Sequence, residues 1–326
     1  MLIVTDAWHP AVNGVIRTIE SLTRELEAMG HDVLVIGTDR FRTLPLPSYP
    51  EIRLAWNAWR LPAMIDAFAP DSIHIATEGP LGLAARRYCL RRKRPFTTAF
   101  HTRFPEYLAS RLPVPLAWSY ASLRRFHAPA AAVMVATPTL QGLLSARGFE
   151  RLRIWTRGVD TELFRPRDKS FLDAPRPIAL YVGRVAVEKN IEAFLNLELP
   201  GSKYVVGDGP QLASLKRRHP GVHFVGYQHG EDLARYSAAA DVFVFPSRTD
   251  TFGLVLLESL AAGVPVAAYP VAGPLDVIGA SGVGSLQEDL GAATRAALSI
   301  SAESCRAYAL RFSWEVSARQ FADIAV

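Results

Sequence analysis

Cysteine is almost missing from this chain: Cys89 and Cys305 are the only two in 326 residues. They stand far apart without metal-type spacing, which excludes a disulfide scaffold and reads as two reduced thiols. Long apolar runs are lacking too. The longest stretch free of charges and strong polar groups, around Leu260 to Gly273, is broken by Gly263, Pro265 and Pro270. It falls short of the roughly 20 apolar residues a membrane-spanning helix needs. No basic region precedes the opening Met1-Leu2-Ile3-Val4-Thr5-Asp6, so the start reads as a first buried strand and not a secretion signal, with a cytosolic address expected. Asp-x-Asp occurs nowhere, and His and Cys show no ligand spacing, so no divalent metal or other cofactor is expected to be essential. A complete dinucleotide fingerprint is also missing. Gly207-Asp208-Gly209 lacks the third glycine and follows the second strand of its series, so it reads as a turn, which weakens a redox assignment.

What is present is ample core and uneven charge. With 49% hydrophobic and 21% charged residues, the chain can fill two sizeable domains. Residues 1–155 hold 19 Lys and Arg against 12 Asp and Glu, net +7, and the remainder 17 against 19, net −2, consistent with the total of +5. Part of the excess is the run Arg86, Arg87, Arg91, Arg92, Lys93 and Arg94, read either as a solvated face or as a surface for an anionic partner.

Short apolar runs alternate with helix-period segments throughout, the pattern of parallel sheets covered by helices, so the class is α/β. The first series has strands near Leu2–Thr5, Asp32–Ile36, Ser72–Ala76, Phe96–Phe100 and Ala132–Ala136. Val15, Ile19, Leu22, Leu26 and Met29 mark a helix that Gly30 stops. The second series has strands near Ile178–Val182, Tyr204–Val206, His223–Val225, Val242–Phe245 and Val264–Ala267. Between them, residues 164–177 carry three prolines and several charges and read as a linker, with the boundary near Asp168. Two doubly wound sheets facing a central cleft would place ligands at the carboxyl ends of their strands.

Candidate sites follow from that placement. Asn13-Gly14 after the first strand reads equally as a phosphate or sugar cradle and as an ordinary turn. Arg184 and Lys189 lie in the loop after Ile178–Val182; they are either solvated charges or the fork and point charge that would neutralise a leaving diphosphate. Asp250 precedes a helix expected to begin at about Gly253, whose N–H groups would attract phosphate. Glu258 lies inside that helix among Leu254, Val255, Leu257 and Leu260. It is either solvated on an outer face or buried, where it would need donors such as ribose hydroxyls. His101 ends a strand of the first half and reads as structural or as facing the crevice.

In combination these segments resemble glycosyltransferase family 4. The segments are Asn13-Gly14-Val15, His101-Thr-Arg-Phe-Pro105, Arg157-Gly-Val-Asp160, Gly183-Arg184 with Lys189, Val206-Gly-Asp-Gly-Pro210, and Asp250 with seven residues before Glu258 and then Ala-Gly-Val-Pro. The resemblance implies a GT-B fold of two Rossmann-like domains, residues 1–167 on the acceptor side and 168–305 for the nucleotide sugar, with 306–326 packing back toward the first. It implies a retaining, metal-independent transfer. Gly14 and Gly183 would approach the donor, Arg184 and Lys189 would hold its diphosphate, and Glu258 its ribose. Thr251, Phe252, Gly253 and Leu254 would hold sugar or phosphate, and His101 would contact the sugar near the reacting carbon. Gly226 and Tyr227 would lie by the base, uracil or guanine. Asp250 stands where the family usually has Glu, and orients a sugar hydroxyl in this reading.

For the acceptor, Trp56, Trp59, Tyr107, Trp118, Arg124 and Arg125 read either as core aromatics with surface charge or as a lipid-facing belt. The resemblance extends to bacterial glycolipid synthases that use UDP-glucose or UDP-glucuronate and diacylglycerol. A peripheral enzyme on the inner face of the membrane is therefore expected, with no nucleic-acid partner; a GDP-mannose-dependent mannosyltransferase is the alternative. A basic nucleic-acid-binding protein would leave Asp250 and Glu258 without a role.

Overall fold

A computed structural model describes residues 1–9, 13–46, 49–109 and 115–325. The chain divides into two compact units, Met1–Arg157 with Trp314–Val326, and Gly158–Ser313.

In the first unit the elements run β1 (Leu2–Val4), α1 (Gly14–Ala28), β2 (Leu34–Ile36), β3 (Thr43–Leu46), β4 (Tyr49–Ala55), α2 (Leu61–Phe68), β5 (Ile73–Ile75), α3 (Pro80–Arg92), β6 (Thr97–Phe100), α4 (Phe104–Ala109), α5 (Leu116–His127), β7 (Ala132–Val135), α6 (Pro138–Ser145) and β8 (Leu152–Ile154). The second holds β9 (Ile178–Val182), α7 (Ile191–Leu195), β10 (Ser202–Val206), α8 (Leu212–Arg218), β11 (His223–Gly226), α9 (Gly230–Ala239), β12 (Val242–Phe245), α10 (Leu254–Ala261), β13 (Val266–Ala268), α11 (Ala272–Val277), β14 (Gly284–Leu286), α12 (Leu290–Ala297) and α13 (Ala302–Ala309). The last helix, α14 (Trp314–Ala325), belongs to the first unit.

Each unit is built on a six-stranded parallel sheet, in the orders β2-β1-β5-β6-β7-β8 and β11-β10-β9-β12-β13-β14. Strands β1, β5, β6, β7 and β12 are buried along their whole length. That is why they read as continuous apolar runs and not as alternations. In both sheets the first strand is an inner one: the chain winds outward on one side and then crosses to the other. The reversal points lie between β1 and β5 and between β9 and β12, and a doubly wound sheet opens its ligand crevice at such points.

Helix α1 begins where Asn13 accepts hydrogen bonds from Val15 N and Ile16 N, and ends before Gly30 at φ 88°. Its Ile19, Leu22 and Leu26 share one core with Trp155 of the β8 end and with Ala318, Phe321 and Ala322 of α14. Trp155 Nε1 donates to the Ser317 carbonyl at 3.1 Å, fixing the last helix to this sheet.

Three features differ from the sequence expectations. The antiparallel hairpin β3–β4 and the edge strands β8 and β14 were not anticipated. Pro45 within β3 suppresses a strand reading, and is tolerated because this ribbon has only two strands. Strand β8 is three residues long and none of its residues is fully buried, so it carries no apolar run to read. The division also falls at Arg157/Gly158 and Ser313/Trp314, not near Asp168 and residue 306. Residues 164–177 are not a free linker, because Phe164 and Leu172 are buried and the cations are anchored on the second unit. Lys169 and Arg176 pair with Asp241, Arg167 with Glu231, and Arg306 donates to the carbonyls of Phe164 and Thr161. Within the basic run, Arg86 donates to the Phe126 and Arg125 carbonyls and Arg92 pairs with Asp66, so part of that charge ties helices together.

Buried His74 ties stability to pH. Its Nδ1 lies 2.9 Å from Thr97 Oγ1, and burial, aided by the Arg157 charge, pushes its pKa down to about 3. Below pH 6.5 the unfolded chain takes up a proton here that the folded chain refuses, so stability is full above pH 6.5 and falls as pH drops from there toward 3. Chemical denaturation between pH 7.5 and 4.5 should show this slope, and His74→Gln should make it shallower; an equal slope in both proteins would refute the assignment.

Candidate active site

The second unit assembles its polar residues at the reversal point between β9 and β12. As β9 ends, Gly183 turns with its α-carbon under the Tyr181 ring: an added β-carbon would lie 3.0 Å from the Tyr181 hydroxyl. That hydroxyl donates to the Arg184 carbonyl at 2.7 Å and fixes the backbone that carries Arg184. The Arg184 guanidinium lies 3.9 Å from Glu188, whose side chain is only 7% exposed. Asn190 then adopts the left-handed conformation (φ 52°) and donates from Nδ2 to the Pro246 carbonyl at 3.1 Å.

The loop after β12 closes on the same point. Thr249 Oγ1 donates to the Glu188 carbonyl at 3.2 Å, and Lys189 forms an ion pair with Asp250 Oδ1. The other carboxylate oxygen, Asp250 Oδ2, is buried without a hydrogen-bond partner among the described residues. An acceptor left in that condition costs about 1–3 kcal/mol, which a hydroxyl donor from a ligand would recover. Thr251, Phe252 and Gly253 lead into α10; Gly253 sits at φ 85° with no side-chain cap, and Leu254 opens the helix. Glu258 is 6% exposed, so the buried reading holds and the solvated one does not. Gly273 comes so close that an added β-carbon would stand 2.9 Å from the Phe252 carbonyl. Beside β9, the loop after β10 runs along the Gly183–Val185 backbone, with Gly183 N donating to Val206 O and Val185 N to Asp208 O. Gly207 N in turn donates to Gly226 O, and Tyr227, 48% exposed, stacks on His229.

Arg184, Lys189, Asp250 and the α10 tip therefore share one end of one sheet. Two cations and a set of N–H groups suit a diphosphate, while an unsatisfied carboxylate oxygen suits a hydroxyl-rich group.

In the first unit, Gly14 is exposed at the start of α1, but two of the N–H groups expected to be presented there are taken by Asn13 Oδ1. His101 follows β6, with Nδ1 accepting from Arg157 Nη2 at 3.4 Å. Burial, then the charges of Arg157 and the histidines around it, holds the imidazole well below its usual pKa, so it is neutral at pH 7. A residue that the motifs missed is Asp6, at the reversal point between β1 and β5. It accepts from Leu81 N at 2.8 Å, Gly82 N at 3.1 Å and Thr77 Oγ1 at 3.0 Å, so it caps α3 from a loop seventy residues away in sequence, a pairing no local pattern signals.

The aromatics resolve toward exposure. Trp56 and Trp59 form an edge-to-face pair, 47% and 67% exposed, and Trp118 on α5 is 73% exposed. Arg124 and Arg125 are exposed on the same helix and line a cavity of about 610 Å³ with His127 and Phe149. The side chain of Tyr107 lies outside the described residues. No described helix is long and apolar enough to cross a membrane.

Comparison with known proteins places this architecture. Residues 12–163 match Glycosyltransferase Family 4 and residues 176–302 match Glycosyl transferases group 1. A GDP-mannose-dependent alpha-mannosyltransferase of Mycobacterium tuberculosis is 30% identical over 304 residues, covering 85% of this chain and 80% of that protein. The chain belongs to glycosyltransferase family 4. Other relatives of this family 4 enzyme include the Sulfoquinovosyl transferase SQD2 of Arabidopsis thaliana, 31% identical over 82% of this chain and 58% of that protein. An Alpha-monoglucosyldiacylglycerol synthase of Streptococcus pneumoniae is 28% identical over 81% of this chain and 70% of that protein. Among solved structures, Anabaena Alr3699/HepE in complex with UDP and glucose superposes with a TM-score of 0.73 at 18% identity, covering 99% of this chain and 98% of that one. The fold of this transferase is accordingly GT-B, with two Rossmann-like α/β units.

Proposed function

We propose that this family 4 glycosyltransferase moves a glucosyl or glucuronosyl unit from a UDP-sugar to a lipid acceptor, diacylglycerol, with retention of configuration and without an essential metal. One observation carries the donor half: Lys189 and Asp250 meet at the β9/β12 reversal point, beside Arg184 and the uncapped start of α10. In this reading Arg184, Lys189 and the helix tip take the charge of the departing diphosphate, the part a metal would otherwise play. Asp250 Oδ2 accepts from a sugar hydroxyl, Glu258 meets the ribose, and neutral His101 orients the sugar without exchanging a proton.

The acceptor half draws on exposed Trp56, Trp59 and Trp118 with Arg124 and Arg125, a pairing of indoles and cations suited to an anionic membrane surface. It also draws on the name of the pneumococcal relative. The mycobacterial mannosyltransferase relatives support a second reading, GDP-mannose as donor.

The test is incubation in chelator with anionic liposomes containing diacylglycerol and a panel of labelled UDP- and GDP-sugars. A lipid-soluble product formed from UDP-glucose or UDP-glucuronate, with the anomeric configuration of the donor by NMR, is expected. Transfer from GDP-mannose alone would replace the donor, products on water-soluble acceptors alone would remove the lipid, and dependence on added Mg²⁺ would overturn the metal-independent mechanism.

A further inference from the structure

Arg157 is 5% exposed, yet no carboxylate among the described residues pairs with it. It follows β8, at the carboxyl end of the first unit's sheet, where His101 also emerges from β6. Nη1 donates to the carbonyls of Trp155 at 2.6 Å and Thr156 at 3.2 Å, and Nη2 donates to His101 Nδ1 at 3.4 Å. The Trp155 ring covers one face of the guanidinium at 3.9 Å. A guanidinium has five N–H donors, so the Nε–H and one Nη2–H have no acceptor among the described residues. Burial pushes its pKa down to about 9, and it still remains charged at neutral pH.

Several observations then point the same way. A largely buried cation without a carboxylate partner is costly, because carbonyls and a ring face only partly replace the hydration it has lost. The side chains around it are also basic: His74 and His101 are both held neutral, in part by the Arg157 charge itself. Accepting from Arg157 at Nδ1 leaves the His101 proton on Nε2, so the histidine faces its surroundings as a donor. Carbonyls position this guanidinium from behind and an indole stacks on it, which orients the fork without neutralising it. The carboxyl ends of strands in a doubly wound sheet are also where ligands sit.

We infer that Arg157, with His101 beside it, is a subsite for an anionic oxygen group of a substrate: a carboxylate or sulfonate on the transferred sugar, or a phosphate on the acceptor. The inference rests on the transferase reading only for what the anion is attached to; the anion subsite itself lies wholly in the first unit.

The test begins without turnover. Thermal unfolding of the wild-type chain at constant ionic strength is measured with inorganic phosphate, glycerol 3-phosphate, glucuronate and, as the uncharged control, glucose. The three anions should raise the midpoint and glucose should not. Arg157→Met should lose that response while unfolding at or above the wild-type midpoint in anion-free buffer, since an apolar side chain of similar length removes the uncompensated charge. Arg157→Lys, which keeps a charge but not the fork, should retain part of the response, and decides the matter if the methionine variant does not fold. Arg184→Ala should keep the response, whereas loss there with retention in Arg157→Met would overturn the inference and leave the donor reading intact.

In transfer assays, a KM for UDP-glucuronate raised about 10–100-fold in Arg157→Met, with UDP-glucose changed little, assigns the anion to the sugar. A similar loss on phosphate-bearing acceptors with either donor assigns it to the acceptor. An absent anion response in the wild type, or equal losses on every substrate together with a lowered midpoint, would mean that Arg157 is structural.

Discussion

At saturating donor, Arg184→Ala is expected to turn over about 10²–10³-fold more slowly than the parent enzyme, the scale for removing one preorganised charge-stabilising donor. The effect should fall on kcat more than on KM, because a leaving diphosphate gains negative charge as the glycosidic bond breaks. Geometry supports that split. The Arg184 backbone is fixed by the Tyr181 hydroxyl, and its side chain lies near the nearly buried Glu188, so the fork is in place before donor arrives. Lys189→Ala should cost a similar factor, with an added consequence: it strips Asp250 of its ion-pair partner and leaves a carboxylate with both oxygens wanting donors. Binding of UDP should weaken in the same two variants by calorimetry. Turnover of Arg184→Ala within a few-fold of the parent at saturating donor would remove it from the reaction.

The second large effect is structural. Gly207→Ala should destabilise the second unit by about 3–5 kcal/mol, combining overpacking with a backbone conformation that side chains rarely adopt. Gly207 sits at φ 146°, and an added β-carbon would stand 1.9 Å from the Gly183 carbonyl oxygen, which belongs to rigid backbone and not to a flexible side-chain end. The shift would travel through Gly183 N–Val206 O and Val185 N–Asp208 O to the loop that carries Arg184, so donor affinity should fall with stability. Gly221→Ala is the control, since nothing lies within 4 Å of its added carbon. Urea unfolding reads the difference, and equal midpoints for the two variants would show that the loops can part at no cost.

Family membership and most of the parallel strands were legible because each rests on local signals. Buried parallel strands must be apolar along their length, and helix starts and stops need residues such as Asn13 and Gly30 at fixed offsets. The positions of Arg184, Lys189 and Asp250 were legible for a related reason: they occupy segments after strands, where doubly wound sheets hold ligands, and Glu258 lies in the helix that follows. The Gly-Asp-Gly segment is a loop after β10, and its closeness to Gly183 depends on strand order, which periodicity does not contain.

By itself the sequence determined the α/β class, the two series of strands and the identity of the charged loop residues, since these follow from hydrophobic period, turn chemistry and motif spacing along one chain. Tertiary structure alone decided that Lys189 pairs with Asp250, that Asp6 caps α3, that residues 164–177 dock on the second unit and that Arg157 is buried beside His101 with no carboxylate among the described residues to balance it. Each of those is a meeting of segments distant in sequence, set by which strands lie side by side, and the energy of burying or pairing a charge exists only once that neighbourhood has formed.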